Sequence, residues 1–410
     1  MTQFSEFNLD DTILQAIERL GYKEPTPIQS ATLPVIQSGK DIIALAQTGS
    51  GKTAACTIPI CNRVNVHKKD IQALIIVPTR ELALQYATEA QKIGKERQVK
   101  AFAMYGGESD TLQETKIRDG VQVLIATPGR LIDFIYSRRI NLTQVATLVL
   151  DEADEMLSMG FYDDLEFIIQ CLNHAHQTLL FSATMPPKIR IMAKAHMIDP
   201  VEISLIDQRA GPKNIDHQFV YCLPHEREDK LLIMLKEFTP KQSIIFANSR
   251  NQCEKIQKNL QRSLPGVDFL HGGLSQDLRT TITSKFRMGK IKHLVATDVA
   301  ARGLDFSGIS HVFIFQLSPD PDIYIHRSGR TGRVDRKGIV TTFITKYEVK
   351  LLQNLLNRIK CEPKWIGQVP NLSGGEPART GRPPNGKGAP RSKPRASKPY
   401  NTADKTLPNT

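Results

Sequence analysis

The sequence contains no C-x-x-C pair. Its six cysteines, Cys56, Cys61, Cys171, Cys222, Cys253 and Cys361, are scattered over 410 residues. That spacing argues against a zinc site or a disulfide framework and fits a reducing compartment. No apolar run approaches the ~20 residues needed to cross a bilayer. The first residues, Met1 to Glu6, lack the basic and then apolar segments of a signal peptide. A cytoplasmic protein without membrane association is therefore expected. Aromatic residues are sparse at 6%, but 40% hydrophobic content suits a soluble globular chain. Acidic residues are outnumbered: 42 Asp and Glu stand against 54 Lys and Arg, a net charge of +12 that points to a polyanionic partner. The chain is too long for one typical core, and two domains with some extra are expected.

Along the chain, Leu9, Ile13, Leu14, Ile17 and Leu20 fall at helical spacing, with Asp10 or Asp11 at the start and Gly21 beyond the end. Pro25-Thr26-Pro27-Ile28-Gln29 then forces an extended path before a second helix. From Asp41 onward, apolar strand-like runs alternate with helix-like segments: Ile42–Ala46, Ala73–Val77, Ala101–Met104, Val121–Ala126, Thr147–Leu150, Thr178–Phe181 and Val201–Leu205. The alternation resumes with Gln218–Cys222, Ser243–Ala247, Val267–Leu270, His293–Ala296, His311–Phe315 and Val340–Ile344. Near-continuous apolar strands of this kind indicate parallel sheets covered on both faces, the α/β class. The polar stretch around Gly211-Pro212 separates the two series and reads as a linker.

The two halves echo each other in order. Ile75 to Arg80 matches Ile244 to Arg250, Tyr105-Gly106-Gly107 answers His271-Gly272-Gly273, and Val123 to Thr127 answers His293 to Thr297. Two copies of one module are expected. After Leu356 the pattern fades. From Asn371 to Thr410 there are seven prolines, five glycines, and eight basic residues against two acidic ones, so this stretch carries half of the net charge. Such a composition is expected to be disordered, serving either as a solubilising tail or as a low-specificity nucleic-acid anchor.

Three stretches carry chemistry. Ala46-Gln47-Thr48-Gly49-Ser50-Gly51-Lys52-Thr53 lies between a strand and a helix. Its glycines let backbone N–H groups converge on phosphate oxygens, Lys52 can reach the β- and γ-phosphates, and Thr53 can place a hydroxyl on Mg²⁺. Ala46 replaces the usual first glycine. The second stretch is the apolar run Thr147–Leu150, which ends in Asp151-Glu152-Ala153-Asp154. Alone, it could be a solvated acidic turn. Beside a P-loop, Asp151 fits the carboxylate that holds Mg²⁺, and Glu152 fits the group that orients or deprotonates water. Asp154 is either a bridge to other polar groups of the cleft or a solvated turn residue. The third stretch, His326 to Arg333, places arginines at 327, 330 and 333, a spacing near one face of a helical turn. It is a basic surface, or it supplies guanidinium to a transferring phosphoryl group from a second domain.

Together these residues resemble the DEAD-box RNA helicases, from Phe4 to about residue 350. Gly21 through Gln29, with Phe4 upstream, resembles the adenine-reading Q motif. Pro78-Thr79-Arg80-Glu81-Leu82, Gly106-Gly107 and Thr127-Pro128-Gly129-Arg130 resemble the family's RNA-backbone motifs. Ser182-Ala183-Thr184 resembles the element that links hydrolysis to strand separation. Ala296 through Asp305 and His326–Arg333 resemble the motifs of the second domain.

The resemblance implies two tandem RecA-like domains, 1–206 and 215–370, joined by a linker at 207–214 and followed by the basic tail at 371–410. It implies ATP and Mg²⁺, with Phe4 stacking on adenine, Thr26 and Gln29 reading its edge, Asp305 contacting ribose or phosphates, and Arg330 and Arg333 as arginine fingers. Asp154, Ser182, Thr184 and His326 are implied in coupling. RNA is implied along Pro78, Thr79, Arg80, Gly106, Gly107, Thr127, Arg130, Arg250, Gly272, Arg279 and Thr297. Gly273, Phe306 and Ser328 depart from commoner residues at their positions.

The leading expectation is an ATP-dependent RNA helicase that separates short duplexes locally or remodels RNA–protein complexes. The alternatives are an ATP-gated RNA clamp and a DNA helicase on the same paired fold. The core is expected to be monomeric. The compact core and short tail resemble compact bacterial RhlE-like members, with ribosome biogenesis or RNA turnover as the setting.

Overall fold

Strands that are apolar on both faces need cover on both faces, and helices flanking a parallel sheet supply it. A computed structural model describes residues 3–370 apart from 48, 206–214, 302–308 and 333–336, and it contains two such sheets. The first holds β1 (Ile42–Leu45), β2 (Ala73–Ile76), β3 (Ala101–Met104), β4 (Val123–Ala126), β5 (Thr147–Leu150), β6 (Gln177–Ser182) and β7 (Val201–Ser204), ordered β3-β4-β2-β5-β6-β1-β7. The second holds β8 (Ile215–Tyr221), β9 (Ser243–Phe246), β10 (Val267–Leu270), β11 (His293–Ala296), β12 (His311–Ile314), β13 (Gly338–Ile344) and β14 (Lys364–Trp365), ordered β10-β11-β9-β12-β13-β8-β14. Every neighbouring pair is parallel. The second order repeats the first, strand for strand. The three sequence echoes leave equivalent strands: β2 and β9, β3 and β10, β4 and β11.

Helices α1 (Asp11–Arg19), α2 (Pro27–Gln37), α3 (Lys52–Arg63), α4 (Arg80–Ile93), α5 (Asp110–Arg118), α6 (Pro128–Tyr136), α7 (Ala153–Ser158), α8 (Tyr162–Cys171) and α9 (Pro187–His196) belong to the first module. The second module has α10 (Arg227–Phe238), α11 (Arg250–Gln261), α12 (Gln276–Arg287), α13 (Asp298–Ala301), α14 (Pro321–Ser328) and α15 (Val349–Ile359). The α1 prediction holds: the Asp10 carboxylate accepts from the Thr12 N–H at 2.9 Å, and Gly21 follows with φ +83°.

Side chains alternate along each strand, so Ile42 and Ala44 join Ile13, Ile28, Ile58 and Tyr86 on one face. Ile43 and Leu45 join Leu131, Phe134, Met156 and Ile168 on the other. Truncating a fully buried member such as Phe134 to alanine costs about 3–5 kcal/mol. At the edge, β7 half-buries Val201 and Ile203 and exposes Glu202 and Ser204, as a strand covered on one face should.

Two expectations change. The sequence pattern fades after Leu356, yet α15 continues to Ile359 with Leu352, Leu355 and Ile359 buried, and β14 adds an edge strand on which Trp365 packs against Phe219 at 5.8 Å. Two residues are too few for a periodic signal. Arg327 and Arg330 do not share a helical face either. Helix α14 ends at Ser328, Gly329 caps it, and Arg330 lies in the following turn. Thr48, the 207–214 linker, Asp305, Arg333 and the 371–410 tail lie outside the described residues.

Candidate nucleotide and RNA site

Most of the described residues singled out from sequence follow the C-terminal ends of strands in the two sheets, the edge where open α/β sheets bind ligands. The P-loop turns from β1 into α3 through Gly49 (φ +84°) and Gly51 (φ +96°), conformations that glycine takes without steric cost. Gly51 is also crowded: a Cβ there would meet Gln29 Nε2 at 2.7 Å and Thr26 Oγ1 at 2.8 Å. Gln29 bridges the two segments, accepting from the Thr26 N–H at 2.9 Å and donating to the Gly51 carbonyl at 3.2 Å. The Thr26 and Ser50 hydroxyls are buried without protein partners. Phe4 is only 6% exposed and packs edge-on against Phe7, so stacking on a base would require it to give up part of that packing. Gln47 is exposed at the mouth of the loop, and Thr53 is half-buried in the first turn of α3.

Lys52 is buried, donates to the Ala46 carbonyl at 3.0 Å and lies 3.9 Å from Asp151 Oδ1. Both Asp151 oxygens are held: Oδ1 accepts from the Glu152 N–H at 2.8 Å and Oδ2 from the Tyr86 hydroxyl at 2.6 Å. Burial and the neighbouring Asp151 charge keep the Tyr86 phenol well above its ordinary range, so it remains a donor. Glu152 caps α7 with φ +53°, a left-handed conformation costing a non-glycine residue roughly 1–3 kcal/mol. Its carboxyl titrates above the usual range because burial outweighs the Arg330 guanidinium that pulls it down, while Asp151 pushes it further up. Its Oε2 has no protein partner.

Strand β6 lies between the strands that carry these two loops, and Ser182 at its end ties them together. Its carbonyl accepts from the Ala46 N–H at 3.0 Å and its hydroxyl accepts from the Asp154 N–H at 3.2 Å. Asp154 Oδ2 takes both the N–H and the hydroxyl of Thr184, at 2.7 and 2.8 Å. His326 reaches in from the second module, with Nε2 at 3.4 Å from Asp154 and Nδ1 at 2.8 Å from Glu155. Burial opposes ionisation of Asp154, but the contacts to His326 and Thr184 and the charge of Lys52 prevail, holding its carboxyl down at about 2. A cleft of ≈ 370 Å³ opens here, lined by Asp154, Glu155, Thr184, Lys188, Asp322 and His326. Asp154 is therefore a bridge and not a solvated turn residue. Glu155 was missed in the sequence because a fourth acid after three others adds no visible pattern.

Arg330 is 5% exposed and within electrostatic reach of Glu152 across the cleft. Arg327, by contrast, folds back into its own module. It makes a double contact with Asp298 at 2.6 and 2.7 Å and donates to Asn248 Oδ1 and the Gln316 carbonyl, both at 2.8 Å.

The implied RNA residues line the edges formed by β3-β4-β2 and β10-β11-β9. Pro78 and Thr79 are buried, and the Thr79 hydroxyl caps α4 by accepting from the Leu82 N–H at 3.3 Å. Arg80 stacks over Tyr105 at 4.1 Å, close to Gly107. Thr127 is the N-cap of α6. Gly106, Gly107, Arg250 and Gly272 are exposed, and Thr297 is half-buried. Two arginines are already paired: Arg130 with Asp110 at 2.6 Å, and Arg279 with Glu81 of the first module at 2.8 Å. The latter pair ties α12 to α4 beside a groove of ≈ 630 Å³. Helix N-termini with flanking arginines on both modules form a track suited to a phosphate backbone.

The paired sheets, the P-loop and the acids facing an arginine across the cleft define a two-module P-loop nucleoside triphosphatase. Comparison with known proteins narrows this class. Residues 26–192 match the DEAD/DEAH box helicase family and residues 226–335 match the helicase conserved C-terminal domain. The chain is 42% identical to the DEAD-box ATP-dependent RNA helicase CshA of Bacillus cereus (strain ATCC 10987 / NRS 248), over 87% of this chain and 68% of that protein. S. cerevisiae Dbp5 bound to RNA and ADP BeF3 superposes with a TM-score of 0.82 at 29% identity, over 89% of this chain and 96% of that one. DEAD-box helicase Mss116 bound to ssRNA and UDP-BeF gives 0.80 at 31% identity, over 90% and 80%. The chain belongs to the DEAD-box family of ATP-dependent RNA helicases, and its two sheets are the family's tandem RecA-like folds.

Proposed function

We propose that this chain hydrolyses ATP in a site shared by its two modules and uses closure of that site to separate short RNA duplexes locally or to remodel RNA–protein complexes. The observation that carries this reading is the reach of His326 and Arg330, from the second module, to Asp154, Glu155 and Glu152 of the first. In this reading Lys52 and the backbone N–H groups of the turn from Gly49 to Thr53 hold the triphosphate, while Thr26 and Gln29 sense the base and transmit its presence to Gly51. Glu152 orients water for attack on the γ-phosphorus and accepts its proton as ADP departs; burial, which raises its carboxyl pKa, suits it to that task. Arg330, together with Arg333, neutralises charge building on the transferring phosphoryl group.

The residues fit a magnesium ion that arrives with the nucleotide. Among the described residues no group of three or more His, Cys, Asp or Glu could hold a metal alone. However, one carboxylate, Asp151, and one hydroxyl, Thr53, beside phosphate oxygens are the donors Mg²⁺ ordinarily takes. Four buried acids within five residues, with the unpartnered Glu152 Oε2 among them, favour added positive charge. Bound there, the ion would offset charge on the β- and γ-oxygens.

RNA is proposed to lie on Thr79, Arg80, Gly107, Thr127, Arg250, Gly272 and Thr297, through backbone contacts with little sequence preference. The setting proposed is the cytoplasm, in ribosome biogenesis or RNA turnover, with domains bounded near residues 206 and 215. The test compares ATPase rates with no nucleic acid, single-stranded RNA and DNA, followed by short-duplex unwinding. RNA-selective stimulation with duplex loss is expected. Equal stimulation by DNA overturns the RNA assignment, and ATP-dependent RNA retention without duplex loss identifies a clamp.

A further inference from the structure

Tyr86 takes no part in the mechanism above, yet it makes one of the shortest contacts in the site. It lies on α4, in the middle of the helix whose first turn holds Arg80, and its side chain is fully buried. A buried phenol needs an acceptor, and here the acceptor is Asp151 Oδ2 at 2.6 Å, with Cys56 Sγ of α3 at 3.9 Å beside it. The distance is that of a charge-assisted O–H···O⁻ bond.

The placement of the other groups around Asp151 gives the contact its meaning. The Glu152 N–H and Lys52 both address Oδ1, at 2.8 and 3.9 Å. Oδ2 would otherwise be free to turn about the Cβ–Cγ bond, and the plane of the carboxylate would be set by one backbone donor alone. The Tyr86 hydroxyl supplies the second fixed point, from a ring wedged between the P-loop helix and the sheet. Each oxygen keeps lone-pair capacity for a further partner.

We propose that Tyr86 is a positioning residue: its hydroxyl fixes the orientation of the Asp151 carboxylate so that it receives the magnesium ion of the incoming nucleotide. The inference rests on the proposed role of Asp151. Removing the partner of a metal-binding carboxylate typically weakens the metal roughly 10- to 100-fold. The contact belongs to the ion and not to the nucleotide, so binding without Mg²⁺ should be indifferent to it.

The experiment titrates Mg²⁺ against binding of a fluorescent ADP to the full chain, for wild type, Tyr86→Phe and Asp151→Asn, with a parallel series in EDTA. For Tyr86→Phe the expected result is a Mg²⁺ half-saturation raised about tenfold or more, with unchanged affinity in EDTA. An unchanged half-saturation overturns the proposal. An equal loss of affinity with and without Mg²⁺ also overturns it, because that is the signature of packing alone. If binding to the wild type ignores Mg²⁺, or Asp151→Asn leaves the Mg²⁺ dependence intact, the Asp151 assignment itself fails, which is a distinguishable outcome. Should Tyr86→Phe fail to fold, Tyr86→Gln and Tyr86→Leu read the same contrast, being similar in size but different in donor capacity. The glutamine variant is expected to need less Mg²⁺, and equal requirements overturn the assignment.

Discussion

Replacing Asp154 by asparagine removes one charge at the junction of the two modules while keeping size and one acceptor oxygen. The cost can be worked from the contacts. The Asp154 carboxyl is held at about 2 against an ordinary 3.8, despite burial that works the other way. At about 1.4 kcal/mol per pKa unit, its surroundings favour the anion by about 2 kcal/mol. Part of that comes from Thr184 within the first module, and part from His326, which is present only when the modules are closed. The closed state therefore loses at most the whole amount, a factor of roughly 30 in its population. The assay is energy transfer between dyes on the two modules, in the presence of RNA and a non-hydrolysable ATP analogue, alongside short-duplex unwinding. Asp154→Asn should shift the closed fraction and slow unwinding, with nucleotide affinity changed less, because the Asp154 carboxylate contacts Thr184 and His326 and no described residue of the P-loop directly. Thr184→Ala, which removes the hydroxyl donor inside one module, should close more readily than Asp154→Asn. Closure and unwinding of Asp154→Asn at wild-type levels would refute the reasoning.

Three further outcomes are expected. A carboxylate with a depressed folded pKa stabilises the protein above its unfolded pKa and loses that stabilisation as pH falls, so the Asp154 contribution should fade between about pH 4 and pH 2. Urea midpoints measured across that window should converge for wild type and Asp154→Asn. Glu152 has the opposite sign: its buried carboxyl is raised, so ionising it above its unfolded pKa opposes folding. Glu152→Gln should therefore melt at a higher temperature than the nucleotide-free wild type at neutral pH while losing turnover, and an unchanged or lower melting temperature counts against this account. Ending the chain at residue 370 removes eight basic and two acidic residues, and should weaken RNA binding and flatten its salt dependence; an unchanged slope marks the tail as a solubility device.

The fold was largely legible because parallel strands buried on both faces leave long apolar runs, and because the module is written twice. The echo of Ile75 to Arg80 in Ile244 to Arg250 anticipated equivalent strands in two identically ordered sheets. The edge strand Lys364–Trp365 was not legible, since two residues carry no period. At the site, the P-loop and Asp151 to Asp154 were readable because phosphate and metal chemistry demand particular residues at fixed spacing. The partners of those groups carry no such signature. Tyr86 reads as an ordinary core aromatic on a helix, and only the fold aims its hydroxyl at Asp151. Glu81 and Arg279, nearly two hundred residues apart, meet only because the fold brings α4 and α12 together. The even spacing of Arg327 and Arg330 suggested a shared face, but helix α14 stops between them, sending one guanidinium inward to Asp298 and the other to the cleft.

That Arg330 completes a site on the other module is the central claim, and Arg330→Ala tests it most directly. Nucleotide binding should stay within about threefold of wild type, while RNA-stimulated turnover falls on the order of 10³-fold. With the guanidinium gone, the Glu152 carboxyl rises further, so the acid limb of any residual activity should move to higher pH. Turnover retained within about tenfold, with an unshifted acid limb, would contradict a site shared between the two modules.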